Sequence, residues 1–210
     1  MLQKTMLVWV VCLALGLTTA YAHDAREYAG RPQNAGGMAP AALSQEDKAR
    51  QYFTDLPVLT QEGEERRFYT DVLKDRVVLM TTFYTNCTGM CPLTNATLAQ
   101  VQTLLGDELG KTFFLLSVSL DPKHDTPAVL KQYADKFGAR AGWLFLTGRK
   151  ESMTLITHRL GQTSTDLESH EGLFILGNVQ AAHWRKLRPN VPAAVIVTHL
   201  RQLAGQLPID

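Results

Sequence analysis

No charge of either sign dominates this chain: 21 Lys and Arg stand against 20 Asp and Glu, a formal net charge of +1. That balance excludes the basic field that nucleic-acid binding requires, and equally an acidic field for cationic partners. Cysteine is scarce, with three in 210 residues. Three are too few for a small scaffold held by disulfides. Long apolar runs are lacking too. The most apolar stretch, Met6 to Leu17, is shorter than the roughly 20 residues a spanning helix needs. There is no internal repeat.

What is present begins with a leader. Lys4 gives a short positive start, Met6 to Leu17 carries no charge, and Ala20-Tyr21-Ala22 is a small-x-small cleavage site. Residues 1–22 are therefore expected to be a signal peptide, and the protein to be exported to the periplasm. An uncleaved leader anchoring the chain in the inner membrane is the alternative. Cys12 falls inside the leader, and Trp9-Val10-Val11 before it lacks the small residue of a lipoprotein site. Residues 23–43 are broken by Gly30, Pro32, Gly36, Gly37 and Pro40 and read as a flexible linker. His23, if it begins the mature chain, brings an amine and an imidazole that can chelate copper. Residues 44–210 read as one folded domain.

Within that domain the order of elements predicts a fold. Ser44 to Tyr52 reads as a helix with Ser44 as N-cap and Asp47 in the place of a capping Glu. Leu56 to Leu59 and Arg67 to Tyr69 flank a turn at Gln61-Glu62-Gly63, and Asp71 to Leu73 reads as one helical turn. Val77 to Tyr84 is an almost unbroken apolar, β-branched and aromatic run, as in a strand buried on both faces. A helix is expected over Pro92 to Leu109, a strand over Thr112 to Leu120, and a helix from Pro127 to Phe137 capped by Asp125 or Thr126. A strand over Trp143 to Leu146 and a helix over Lys150 to Leu160 follow. Then come a hairpin of Leu173 to Leu176 with His183 to Leu187 about Gly177-Asn178, and a last helix, Pro192 to Leu203, capped by Asn190. Strands alternating with helices and closed by a hairpin and a helix predict an α/β fold. The expected form is a thioredoxin-like (glutaredoxin-type) sandwich with a central mixed sheet, an N-terminal hairpin extension and flanking helices.

Without the leader, two cysteines remain, Cys87 and Cys91, between the Val77 strand and the helix after Pro92. A helix N-terminus stabilises a thiolate, which is both a nucleophile and a soft metal ligand. Positions i and i+4 share a helical face, so the two sulfurs are expected to meet a common atom. The pair can close a redox-active disulfide or clamp a metal. His170 precedes the strand from Leu173, in the loop that packs on the cysteine turn in a thioredoxin-like sheet. Thioredoxin-like redox enzymes place a proline there, and Asp166 to Leu173 has none. Two thiolates and an imidazole suit Cu(I) first and zinc next. His124, in the loop Asp121-Pro122-Lys123-His124-Asp125, is a weaker candidate at the sheet edge where sites form. Met90 could add a thioether. His158, His183 and His199 read as structural or surface residues.

These residues resemble the Sco/SenC family of copper-binding, thioredoxin-like proteins that help assemble the copper centre of cytochrome c oxidase. The resemblance runs from about Tyr52 to the C-terminus. It is carried by Phe83-Tyr84-Thr85-Asn86-Cys87 through Cys91-Pro92, by Ser117-Val118-Ser119-Leu120-Asp121-Pro122 with Asp125-Thr126-Pro127, by Val129 to Ala134 with Phe137-Gly138, and by Ser169-His170-Glu171. It implies copper, as Cu(I) or Cu(II), held by Cys87, Cys91 and His170. It also implies a copper-receiving client, a cytochrome c oxidase subunit, with the membrane reached only through that client or an uncleaved leader. The chain departs from the family pattern at Thr88-Gly89-Met90, where Pro and an acidic residue are usual, at Ser169, and at His124, where Arg is common. The implied function is a metallochaperone without turnover of its own. A thiol–disulfide oxidoreductase acting on exported clients through Cys87 and Cys91 is the alternative.

Overall fold

A computed structural model describes residues 43–163, 167 and 172–207. Its centre is β3 (Val77–Phe83), every residue of which is buried. β3 pairs in parallel with β4 (Phe113–Ser119) and antiparallel with β6 (Phe174–Asn178). β5 (Trp143–Thr147) continues the parallel run beside β4. The hairpin of β1 (Pro57–Thr60) and β2 (Glu65–Arg67) adds antiparallel to β5, and β7 (His183–Leu187) closes the other edge on β6. The order is β2-β1-β5-β4-β3-β6-β7, a seven-stranded mixed sheet. The expected sandwich with an N-terminal hairpin extension is the fold observed.

Alternation along the central strands sends side chains to two separate cores. Val77, Leu79 and Phe83 of β3 join Leu115, Trp143, Phe145, Phe174 and Leu176 on one face. That face is covered by α2 (Met90–Leu105), α3 (Pro127–Lys136) and α5 (Ala193–Leu203). Val78 and Met80 point the other way, with Leu116, Val118, Leu146 and Ile175. There α1 (Gln45–Phe53), a π-helical turn (Phe68–Leu73) and α4 (Lys150–Arg159) close the layer. Among the described residues no helix is long and apolar enough to cross a membrane.

Four local readings are corrected. The helix expected from Pro92 starts at Met90, so Pro92 is its third residue. A proline is tolerated throughout a first turn, where the N–H groups lack helical partners anyway. The same helix ends at Leu105, because Gly106 adopts φ +55° and a 3₁₀ turn (Gly106–Glu108) follows. The hairpin turn lies at Val179 to Ala182, and Gly177-Asn178 belongs to β6. Gly177 is there because the Trp184 ring covers it: a Cβ would run into the ring. Finally, Arg67 alone of Arg67 to Tyr69 is in a strand, and the last helix has Pro192, not Asn190, at its N-cap.

Candidate metal centre

Cys87 lies in the loop after β3, where its N–H donates to the Tyr84 carbonyl at 3.2 Å. Cys91 is the second residue of α2. The expectation that both sulfurs share a helical face therefore fails, since Cys87 is outside the helix. They meet instead because the loop folds back over the helix start. Both are thiols, 8% and 2% exposed, and both belong to the core under α2.

The two sulfurs are chemically unequal. Burial pushes the Cys87 thiol up, but hydrogen bonds to its sulfur outweigh it and hold it below the ordinary value of 9.0. These come from the Cys91 thiol, from the backbone N–H groups of Cys91 and Gly89, and from the Tyr84 hydroxyl. Burial and the proton shared with Cys87 push the Cys91 thiol up to about 12. Cys87 is the sulfur that ionises first, with the Cys91 S–H donating to it. Losing that proton supplies two soft donors to one metal ion.

Two buried polar clusters hold the pair in place. Asp125 is wholly buried at the end of the loop after β4. Its carboxylate accepts from the Thr85 hydroxyl at 2.5 Å, the Ser119 hydroxyl at 2.5 Å and the Thr85 N–H at 3.3 Å. It thus ties the start of the cysteine loop to the end of β4. With Asp125 so engaged, Thr126 caps α3, accepting from the Val129 N–H. The second cluster runs through the core. The Trp143 indole donates to Ser117 at 3.1 Å, Ser117 donates to Asn95 at 3.2 Å, and Asn95 donates to the Cys91 carbonyl at 3.0 Å. Asn95 also donates to the Tyr133 hydroxyl at 3.4 Å. Burial pushes that phenol up to about 12, and the neighbouring sulfurs and Asp125 add to the effect.

The predicted site residues fall out as follows. Cys87 and Cys91 are brought together. His170 lies outside the described residues, as does His23. Among the described residues no group of three His, Cys, Asp or Glu side chains converges on a metal position. His124 is 46% exposed, and its Nδ1 is 3.3 Å from both Asp125 and Thr85. Met90, on the first turn of α2, is 44% exposed. One further observation bears on a third ligand. The hydroxyl of Thr94, buried one turn beyond Cys91, has no hydrogen-bond partner among the described residues. Facing it is Gly172, whose Cβ, if present, would lie 3.6 Å away. The antiparallel register Met80↔Ile175 carries the chain ahead of Phe174 toward the sheet end that holds the cysteines.

Sequence reasoning took Tyr84, Tyr133 and Asp125 only as positions of the family resemblance, with Asp125 also a possible cap, and assigned Thr94 and Asn95 no role. Asn95 had a usable signal, since it stands four residues after Cys91 and three before Leu98 on the buried stripe of α2. The others depend on contacts between distant strands.

The sequence model of the SCO1/SenC family matches residues 45–205. The SCO1 protein homolog of Bacillus subtilis is 31% identical over 97 residues, covering 46% of this chain and 50% of that protein. The chain spans about half the length of the curated relatives it matches. Among solved structures, yeast Sco1 with copper bound is 22% identical with a TM-score of 0.59, covering 72% of this chain and 92% of that one. BsSco, described with a disulfide switch as a member of the Sco family of cytochrome c oxidase assembly proteins, is 22% identical with a TM-score of 0.60, over the same shares. Both share the thioredoxin-like fold described above.

Proposed function

Because the chain belongs to the SCO1/SenC family, we propose that it is a copper carrier that loads the copper centre of a cytochrome c oxidase subunit, with Cys87, Cys91 and His170 as its ligands. The observation that carries this reading is the buried, proton-sharing dithiol at the start of α2. It supplies two soft donors in a place that excludes water. The unpartnered Thr94 hydroxyl facing Gly172 supports a third donor from the segment before β6, two residues away in sequence. The names of the relatives support copper as cargo and cytochrome c oxidase assembly as the setting.

In this reading the chain's own residues do three things. Asp125 and Asn95 fix the two cysteine-bearing segments. Tyr84 and the α2 N-terminus stabilise the first thiolate. The proton of Cys91 leaves when copper enters. The pair joined as a disulfide has no thiolate to offer, so copper uptake requires prior reduction. The reading includes export: the leader-like residues 1–22 would be removed after Ala22, leaving the domain in the periplasm.

The test is copper stoichiometry and absorption of the reduced protein beside His170→Ala and His124→Ala. The wild type and His124→Ala should bind one copper each with matching spectra. His170→Ala should lose at least tenfold in affinity. Copper binding untouched by His170→Ala, or uptake by the oxidised protein equal to that of the reduced, would overturn the assignment.

A further inference from the structure

On the sheet face away from the cysteines lies a groove of about 530 Å³ between α1, the end of α4 and β7. Its floor is apolar and aromatic. Phe53 packs edgewise on Tyr52, with centroids 4.9 Å apart, and on Trp184 at 4.8 Å. Leu160 and Ile175 complete it. Four cations line it, Lys48, Arg159, Arg185 and Lys186, of which Arg185 is held by His199 and Gln202. Lys48 and Tyr52 share one stripe of α1, four residues apart. The guanidinium of Arg159 lies 5.6 Å from the Tyr52 ring centre.

The charge around this groove is of one sign. No lining residue is acidic. The acids of α1 are engaged elsewhere, Glu46 with Lys74 at 2.6 Å and Asp47 with Arg50 at 3.3 Å. Lys48, Arg159 and Lys186 have no ion-pair partner among the described residues. The Tyr52 hydroxyl is occupied by the Arg159 carbonyl at 3.1 Å. Gln45 is the one neutral amide side chain in the lining, set against four cations, so charge and apolar surface dominate what the groove presents. The volume falls within the roughly 300–1,000 Å³ of small-molecule sites, which combine apolar walls with a few polar groups.

We propose that this groove binds a single-chain anionic amphiphile, its aliphatic body against Phe53 and Trp184 and its phosphate or carboxylate among Lys48, Arg159 and Lys186. The site is independent of the copper assignment and lies in the other core layer.

Trp184 is a built-in reporter, because Trp143 is fully buried elsewhere and a Trp184→Phe control, which keeps Trp9 and Trp143, gives the background to subtract. The probe is dodecyl phosphate below its micellar concentration, titrated into the full chain. A saturable change in fluorescence is expected, absent in Trp184→Phe. Lys48→Gln/Arg159→Gln/Lys186→Gln should weaken it at least tenfold while leaving copper stoichiometry unchanged. If the triple variant does not fold, Lys48→Gln and Lys186→Gln singly should each weaken it twofold or more. Inorganic phosphate and hexaglutamate should not compete. The proposal is overturned by no saturable response, by an equal response to dodecyl maltoside, by hexaglutamate binding as tightly, or by charge variants that bind normally.

Discussion

The unequal acidity of Cys87 and Cys91 is the residue-level fact that governs the chemistry. Neither burial nor the helix start alone explains it, since both sulfurs are buried and both are near the same helix end. The difference lies in the deeper burial of Cys91 and in which sulfur donates. The Cys91 S–H donates a hydrogen bond to the Cys87 sulfur, which helps hold Cys87 below 9.0 and push Cys91 up to about 12. The linkage signs follow. The depressed Cys87 contributes stability above the unfolded value, lost as pH falls through its folded value. The raised Cys91 contributes stability below the unfolded value, lost as pH rises toward about 12. Alkylation against pH should show one thiol reacting with a midpoint below 9.0 and assigned by mass to Cys87. Removing the donor with Cys91→Ala should move that midpoint up and cut the rate at pH 7 severalfold. A midpoint unmoved by Cys91→Ala would sink the shared-proton account. The pair itself was legible in the sequence. Its asymmetry was not, because a reading at i and i+4 puts both sulfurs on a helix that Cys87 never enters.

Among the elements, the cysteine loop owes its position to a strand end across the sheet. Asp125 collects two hydroxyls and a backbone N–H that would otherwise be buried without an acceptor. Hydrogen bonds to a charged group contribute about 1.5–3 kcal/mol each, and orphaned donors cost further. Asp125→Ala should therefore destabilise by about 3–5 kcal/mol in denaturant unfolding, and Ser119→Ala in that background should add little. Full additivity of the two changes would show that they do not share the clamp. The sequence marked Asp125 and Thr126 as rival caps, and capping rules cannot choose between them. The choice is made by burial, which takes Asp125 for the loop and leaves Thr126 for α3. Gly177 is a similar case. Gly-Asn between two apolar runs reads as a turn, yet here the glycine is a strand residue that makes room for Trp184. Gly177→Ala should cost about 1–3 kcal/mol, as overpacking does, and shift Trp184 emission. A neutral Gly177→Ala would mean that the ring moves aside freely.

For the whole molecule, the buried two-faced strand β3 is what the sequence announced most clearly. Its pattern required a covered sheet, and the alternation of strands and helices left few ways to cover it. What pattern could not supply is how the site is closed: one sheet edge brings Gly172 against Thr94, and only the register of β6 on β3 decides that. If copper is held by Cys87, Cys91 and His170 as proposed, metal binding is coupled to folding, because Cys91 and His170 lie far apart along the unfolded chain. Copper bound only by the folded form should stabilise it by about 4 kcal/mol at a thousandfold excess over Kd. For a domain of this size that is a rise in Tm on the order of ten degrees. The rise should be confined to reduced protein, shrink in His170→Ala, and persist in His124→Ala. Thermal unfolding followed with and without Cu(I), under reducing and oxidising conditions, measures all four. An equal rise in the oxidised protein would place the metal away from the dithiol, on groups such as His124 or His23.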